Sequence, residues 1–191
     1  MEASQGQRRL LHLAIGLILL LALLFYLEGG LNPSPSPSLE ELYVGVLGSE
    51  DKAEILHVPF VRQKPLYCSE ASASMVLQYY GFQISQDQVH DAGFDRFENM
   101  LPFLQRYVEA EYQENFSLEE VKREIDRGNP VILRLLIDGY RHSVVVVGYD
   151  EEYLYILDPD VGPYLKANPK VLEELWRGTG KLAITLSRKT G

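Results

Sequence analysis

The chain has 191 residues, with 27 acidic and 18 basic side chains and a formal net charge of -9. Apart from Arg8 and Arg9, no cluster of lysine or arginine stands out. Because nucleic-acid phosphates are bound by concentrated positive surface, this composition argues against a nucleic-acid partner. Hydrophobic residues make up 46% of the chain, which is enough for one domain with its own core.

An almost unbroken apolar run extends from Leu10 to Leu27. As a helix it would be about 27 Å long, close to the thickness of a bilayer core. Two arginines precede the run and Glu28 follows it. The positive-inside rule therefore predicts residues 1–9 in the cytoplasm, a single-pass transmembrane anchor over residues 10–28, and the rest of the chain on the extracytoplasmic side of the cell membrane. A cleaved signal segment is the alternative, although the run is long for one and no Ala-x-Ala site follows it.

Residues 29–38 begin with two glycines and continue as an alternation of proline and serine. Proline lacks a backbone N–H and favours the extended polyproline II conformation, so this stretch is interpreted as a linker. The folded domain is predicted over residues 39–191, an ordinary domain size.

Within this domain, helical signals come first and strand signals come second. Helices are predicted at Cys68–Tyr80, Ser85–Ala92, Phe97–Val108, from a capping box at Ser117 to Gly128, and at Pro169–Arg177. Strands are predicted at Val131–Ile137, Ser143–Gly148, Tyr153–Leu157 and Leu182–Leu186. This order indicates an α+β fold with a helical lobe and an antiparallel β-sheet lobe.

The only cysteine in the chain, Cys68, stands at the start of the first of these helices. A lone cysteine is either an inert apolar residue or a reactive thiol. The positive end of the helix dipole stabilises a thiolate at this position, which favours the reactive interpretation. Gln63 precedes the cysteine by five residues and offers an amide N–H to a developing oxyanion.

A thiol nucleophile also needs a base, and the domain contains three histidines. His142 directly precedes an apolar strand, where it can face the helical lobe, whereas His57 and His90 are interpreted as structural or surface residues. Asp158 ends the next predicted strand. Adjacent antiparallel strands bring the start of one level with the end of the other, so Asp158 is expected beside His142 and able to orient its ring.

Four stretches of the domain resemble the peptidase C39-like domain of papain-like cysteine peptidases. They are residues 58–63 (VPFVRQ), 68–72 (CSEAS), 142–150 (HSVVVVGYD) and 157–159 (LDP). The resemblance implies a papain-like fold, with an active site between a helical lobe and a sheet lobe and with no metal or organic cofactor. It also implies a peptide or protein substrate.

By this resemblance, Cys68 is the nucleophile, His142 the base, Asp158 the orienting carboxylate and Gln63 an oxyanion donor, together with the backbone N–H of Cys68. The expected function is that of a membrane-anchored thiol hydrolase, most simply a cysteine peptidase. Family members usually read Cys-Gly-Pro-Ala, whereas this chain has Ser69 and Glu70 after the cysteine. A carboxylate so close to the thiol would oppose thiolate formation, so the alternative is a catalytically inactive module that binds a peptide or a membrane partner in the same cleft.

Overall fold

The computed structural model describes residues 14–21, 23–24, 37–49, 51–93 and 97–189. The chain divides into two compact units, Met1–Pro35 and Ser36–Gly191. The first unit is helical wherever it is described. Among the described parts of the chain, none of the helices has both the length and the apolar character that a membrane crossing requires. The anchor predicted over residues 10–28 lies partly outside the described residues, as does most of the linker, and both stay predictions.

The second unit combines short helices with one antiparallel sheet. In chain order its elements are α1 (Leu39–Leu42), β1 (Tyr43–Val46), β2 (Glu54–Ile55), α2 (Cys68–Tyr79), α3 (Gln86–His90), a 3-10 turn (Glu98–Met100), α4 (Leu101–Leu104), β3 (Glu109–Gln113), α5 (Leu118–Asp126), β4 (Val131–Ile137), β5 (Tyr140–Tyr149), β6 (Leu154–Asp158), β7 (Gly162–Ala167), α6 (Pro169–Arg177) and β8 (Ala183–Ser187). The strands are ordered β1-β7-β6-β5-β4-β8-β3, and β2 pairs with the last two residues of β5.

The sheet separates two hydrophobic cores, because neighbouring residues of a strand point to opposite faces. Val145 and Val147 of β5 belong to the core that contains Met75 of α2. Val144 and Val146 belong to the core that contains Trp176 of α6. Strand β5 is therefore buried on both faces, and α2 packs against the middle of the sheet.

Local sequence signals account for the ends of several helices. At the start of α5, Ser117 and Glu120 form the expected capping box, with the Ser117 hydroxyl accepting the Glu120 N–H at 3.2 Å. Gly81 follows α2 with a φ of +99°, a left-handed conformation that favours glycine. Gly148 serves a different purpose, since a Cβ there would lie 2.6 Å from the carbonyl oxygen of Glu54. The absence of a side chain allows β2 to approach β5.

Some predicted elements need correction. The helix predicted at Phe97–Val108 is reduced to a 3-10 turn and the single turn α4, after which the chain enters β3. His142 does not open its strand, because β5 begins at Tyr140 as the second arm of a hairpin with β4. The two halves are also less separate than predicted. Strands β1, β2 and β3 come from the first half of the domain and join the sheet.

Candidate active site

The thiol of Cys68 lies at the first residue of α2, as the sequence predicted, and it is nine-tenths buried. The loop before it turns sharply, with Leu66 at a φ of +68° and the Tyr67 N–H donating to the Lys64 carbonyl at 3.0 Å. A side chain from α3 holds this loop, because Gln86 accepts the Lys64 N–H at 2.8 Å. As the first helical residue, Cys68 has a backbone N–H without an acceptor inside the helix.

The imidazole of His142 contacts Asp158, with 2.9 Å between Nε2 and Oδ1. The strand register explains this contact. Val145 of β5 pairs with Leu157 of β6. Because the strands are antiparallel, His142, which precedes Val145, and Asp158, which follows Leu157, come close together at the same end of this pair. Because Nε2 is used by the carboxylate, Nδ1 is the ring nitrogen left to bond the thiol of Cys68.

Asp158 is completely buried, and both of its carboxylate oxygens accept hydrogen bonds. Oδ1 also accepts the backbone N–H of Asp160 at 2.8 Å, and Oδ2 accepts the phenol of Tyr43 at 2.7 Å. Burial alone would raise the pKa of Asp158, but the hydrogen bond and charge of His142, and the bond from Tyr43, hold it below its usual range. The carboxylate is therefore ionised at neutral pH.

The thiol and the imidazole titrate as a coupled pair. Burial acts to raise the pKa of Cys68, but the His142 hydrogen bond and the positive charges of Arg134 and His142 outweigh it and lower the pKa to about 7. Burial acts to lower the pKa of His142, but its bonds to Asp158 and Cys68 raise it to about 9. Between these two values the arrangement favours a thiolate beside an imidazolium.

Gln63 lies on the loop opposite His142. Its backbone N–H donates to the Pro159 carbonyl at 2.9 Å, which ties the loop to the turn after Asp158. Its side-chain oxygen is buried and has no hydrogen-bond partner among the described residues. Gln63, Cys68 and His142 line one cleft of about 570 Å³. The four predicted site residues are therefore brought together.

Two neighbours of this group were not anticipated. Arg134 of β4 points its Nη1 at Cys68, 3.4 Å from Sγ, and Tyr43 of β1 binds Asp158 from behind. A signal for Arg134 was present, since it is the only ionisable side chain in the strand VILRLLI. For Tyr43 the local sequence contains no such signal.

Glu70, expected to disturb the thiol, is directed elsewhere. Its Oε1 lies 3.2 Å from Nδ1 of His90, and the His90 ring stacks on Tyr67 with 4.3 Å between ring centroids. His90 is thus half-exposed, as expected of a surface residue, and it is also paired with Glu70. Within the described residues, no group of three or more His, Cys, Asp or Glu side chains is arranged to hold a metal ion.

Comparison with known families identifies the class of this site. Residues 55–184 match the family described as "Peptidase_C39 like family". The match covers about two thirds of the chain, so the chain belongs to this family and is a cysteine peptidase by class. None of the curated proteins resembles the chain closely enough to count as a match.

Solved structures with the same fold agree with this assignment. A protein from Bacillus anthracis described as a C39-like peptidase has a TM-score of 0.62 and 20% identity, over 74% of this chain and 100% of the other. The double glycine motif protease of an AMS/PCAT transporter, solved with a leader peptide, has a TM-score of 0.56 and 25% identity over 69% and 93%. The peptidase domain of Streptococcus ComA, a bifunctional ABC transporter, has a TM-score of 0.56 and 21% identity over 70% and 100%. These likenesses confirm a C39-like fold that combines helices with an antiparallel sheet.

Proposed function

We propose that this chain hydrolyses peptide bonds through a Cys68–His142–Asp158 triad, with Gln63 as an oxyanion donor. One observation carries the proposal. A continuous chain of hydrogen bonds runs from the thiol through the imidazole and the carboxylate to the Tyr43 phenol, and its thiol end opens into a cleft. A buried structural cysteine would need neither a base nor a carboxylate behind that base.

The reaction follows from these positions. The thiolate of Cys68 attacks the peptide carbonyl, and the oxyanion that forms accepts N–H groups from the Gln63 amide and the Cys68 backbone. The His142 imidazolium gives its proton to the leaving nitrogen as the C–N bond breaks, which leaves a thioester and a neutral ring. That ring then takes a proton from water, whose oxygen attacks the thioester and releases the acid and the thiolate.

A peptide substrate suits the lining of the cleft. Apolar side chains stand at its edges, among them Leu66, which is 93% exposed, and Tyr140, which is 78% exposed. Exposed apolar side chains around a nucleophile offer pockets for the side chains of an extended peptide. The similarly folded double glycine motif protease was solved with a leader peptide bound, which supports the same class of ligand here.

The decisive experiment uses a fluorogenic peptide library with the full chain and two variants. Cys68→Ala removes the only thiol, and His142→Ala removes the base. We expect cleavage by the parent chain and a loss of at least about a thousandfold in both variants. Cleavage that persists in Cys68→Ala would contradict the proposal. Peptide binding without thiol-dependent cleavage would instead identify the inactive binding module.

We also propose that residues 10–28 anchor the peptidase in the cell membrane, with the domain on the extracytoplasmic side. The support is the apolar run itself and the arginines that precede it. Carbonate extraction of membranes tests the anchor, and protease digestion of right-side-out vesicles tests the orientation. We expect the full chain to stay in the membrane pellet and its domain to be digested, whereas a chain beginning at Ser36 should be extracted. Equal extraction of both chains would refute the anchor.

A further inference from the structure

Arg134 places a positive charge next to the sulfur of Cys68. It is the fourth residue of β4, and its Nη1 lies 3.4 Å from Sγ of Cys68 and 2.8 Å from the hydroxyl oxygens of both Ser69 and Ser143. The two hydroxyls are 3.0 Å apart and bond each other. The guanidinium therefore donates two short hydrogen bonds, one to a residue of α2 and one to a residue of β5.

The charge of Arg134 has no carboxylate partner among the described residues. None of the ion pairs found there includes it, and its buried Nε has no acceptor. Its remaining neighbour is the Phe97 ring, 5.6 Å from Cζ to the centroid. Arg134 is partly buried, and a guanidinium that has lost part of its hydration is stabilised by a nearby anion. Among the described residues, the anion next to this guanidinium is the sulfur of Cys68 in its thiolate form, 3.4 Å from Nη1.

Two other charged groups near the thiol, His142 and Glu70, already have partners. The His142 imidazolium lies between two anions, the thiolate and the Asp158 carboxylate, and is shared by both. Glu70 faces His90 on α3. The remaining charged side chains that line the cleft are Asp138, Arg141 and Asp160, and among the described contacts none of them bonds the thiol. Arg134 thus supplies the thiolate with a cation of its own.

Ser69 gives this arrangement a basis in the sequence. By the resemblance given above, glycine is usual at this position, and glycine has no hydroxyl to accept a hydrogen bond from the guanidinium. The backbone N–H of Ser143 bonds the thiol of Cys68, so the residue that fixes Arg134 from β5 also contacts the sulfur directly. Ser69, which departs from the usual motif, and Arg134 therefore belong to the same hydrogen-bonded cluster with Ser143.

We propose that Arg134, held by Ser69 and Ser143, is a further catalytic residue that stabilises the Cys68 thiolate independently of His142. The inference rests on the proposed function for its place in the reaction. In acylation it keeps the attacking sulfur ionised before substrate binds. In deacylation the C–S bond breaks and its electron pair returns to sulfur, so the same guanidinium stabilises the departing thiolate. Arg134 and His142 thus have different tasks: Arg134 stabilises the thiolate, whereas His142 also transfers the proton.

The test is the rate of Cys68 alkylation by iodoacetamide as a function of pH, followed by intact mass. Cys68 is the only cysteine, so the signal belongs to one atom. We expect Arg134→Met to move the midpoint of the profile to higher pH. If the midpoint rises by about one pH unit, alkylation on the acidic side of the profile slows about tenfold. His142→Ala should keep a midpoint below that of Arg134→Met/His142→Ala, because the guanidinium remains. Arg123→Met on α5 removes the same charge at a distance and should leave the profile as in the parent chain.

Two results would overturn the proposal. One is an Arg134→Met profile equal to that of the parent chain. The other is a double variant equal to His142→Ala. If Arg134→Met does not fold, as judged by thermal unfolding, Arg134→Lys and Ser69→Ala decide instead. Both should raise the midpoint less than Arg134→Met does. Arg134→Lys keeps the positive charge but loses the guanidinium, and Ser69→Ala removes one of the two hydroxyls that hold the guanidinium. A parent-like profile in both would refute the role.

This test is separable from the peptidase proposal. Alkylation requires only a thiolate, whereas peptide hydrolysis also requires a proton donor and an oxyanion site. A low midpoint that depends on Arg134, together with no peptide cleavage, would preserve this inference and reject the proposed function. Thiol-dependent cleavage with an alkylation midpoint that does not depend on Arg134 would support the proposed function and reject this inference.

Discussion

The phenol of Tyr43 donates a 2.7 Å hydrogen bond to Oδ2 of Asp158, across 115 residues of sequence. Burial, and then the neighbouring carboxylate, raise the pKa of Tyr43 well above its usual value, so the phenol stays a donor at all physiological pH values. Strand β1, which holds Tyr43, pairs with β7 and precedes the region matched by the family, which begins at residue 55. The carboxylate of the proposed triad is therefore held in part by a strand outside the matched region.

Tyr43→Phe removes this hydrogen bond with little change in side-chain volume. Because one oxygen of Asp158 loses its donor, the carboxylate becomes freer to rotate and its pKa rises, and His142 is oriented less well. A hydrogen bond to a charged group is worth about 1.5 to 3 kcal/mol, so we expect kcat/KM to fall roughly tenfold. Because Asp158 helps to raise the pKa of His142 to about 9, peptide hydrolysis measured between pH 5 and 9 should show the largest loss at the alkaline end.

Tyr149→Phe is the matched control for this variant. Tyr149 also bonds an aspartate, Asp126, at 2.7 Å, but that pair is exposed and outside the cleft. We expect parent-like kinetics from Tyr149→Phe. Equal losses in the two variants would show that Tyr43 supports only the general packing of the sheet.

The pH profile of the parent enzyme follows from the coupled pair. Hydrolysis should rise as the thiol loses its proton, near the Cys68 pKa of about 7. It should fall as the imidazolium loses its proton, near the His142 pKa of about 9. We expect a bell-shaped profile of kcat/KM with its maximum between these values, both limbs belonging to the pair rather than to one residue. A profile that keeps rising above pH 9 would contradict the role of His142 as proton donor.

Gln63→Ala separates oxyanion stabilisation from thiol reactivity. Alkylation by iodoacetamide forms no oxyanion, whereas peptide hydrolysis does. We therefore expect kcat for hydrolysis to fall by about a hundredfold or more while the alkylation profile stays close to that of the parent chain. Gln113→Ala, in the edge strand β3, is the control for loss of a glutamine amide. Equal effects of Gln63→Ala on both reactions would indicate a misplaced thiol instead of a lost donor.

Much of this site could be predicted because its signals are local or lie between neighbouring strands. Helix α6 was predicted at Pro169–Arg177, which are its observed limits. His142 and Asp158 were paired because a short hairpin brings their strand ends together. Strand β3 was missed, since its sequence EAEYQ is largely polar and it is a strand only because it pairs with β8.

Tyr43 and Arg134 could not be assigned to the site in this way. Their contacts with Asp158 and Cys68 span 115 and 66 residues and depend on how β1 and β4 are placed in the sheet. No periodicity or spacing in one chain encodes such a contact. The strand of Arg134 was predicted, but the presence of a charge within it becomes informative only when the sulfur beside it is known.

Glu70→Gln tests whether the carboxylate nearest in sequence to Cys68 opposes the thiolate. Its Oε1 contacts His90 at 3.2 Å, so its charge is directed to α3 and away from the sulfur. We expect the alkylation midpoint of Glu70→Gln to move far less than that of Arg134→Met. The free energy of unfolding should fall by about 1 kcal/mol or less, because the pair is half-exposed on the His90 side. A marked downward shift of the midpoint would mean that Glu70 does repel the thiolate. His90→Ala, which frees the carboxylate, should then raise the midpoint. A parent-like midpoint in both variants would show that Glu70 does not oppose the thiolate.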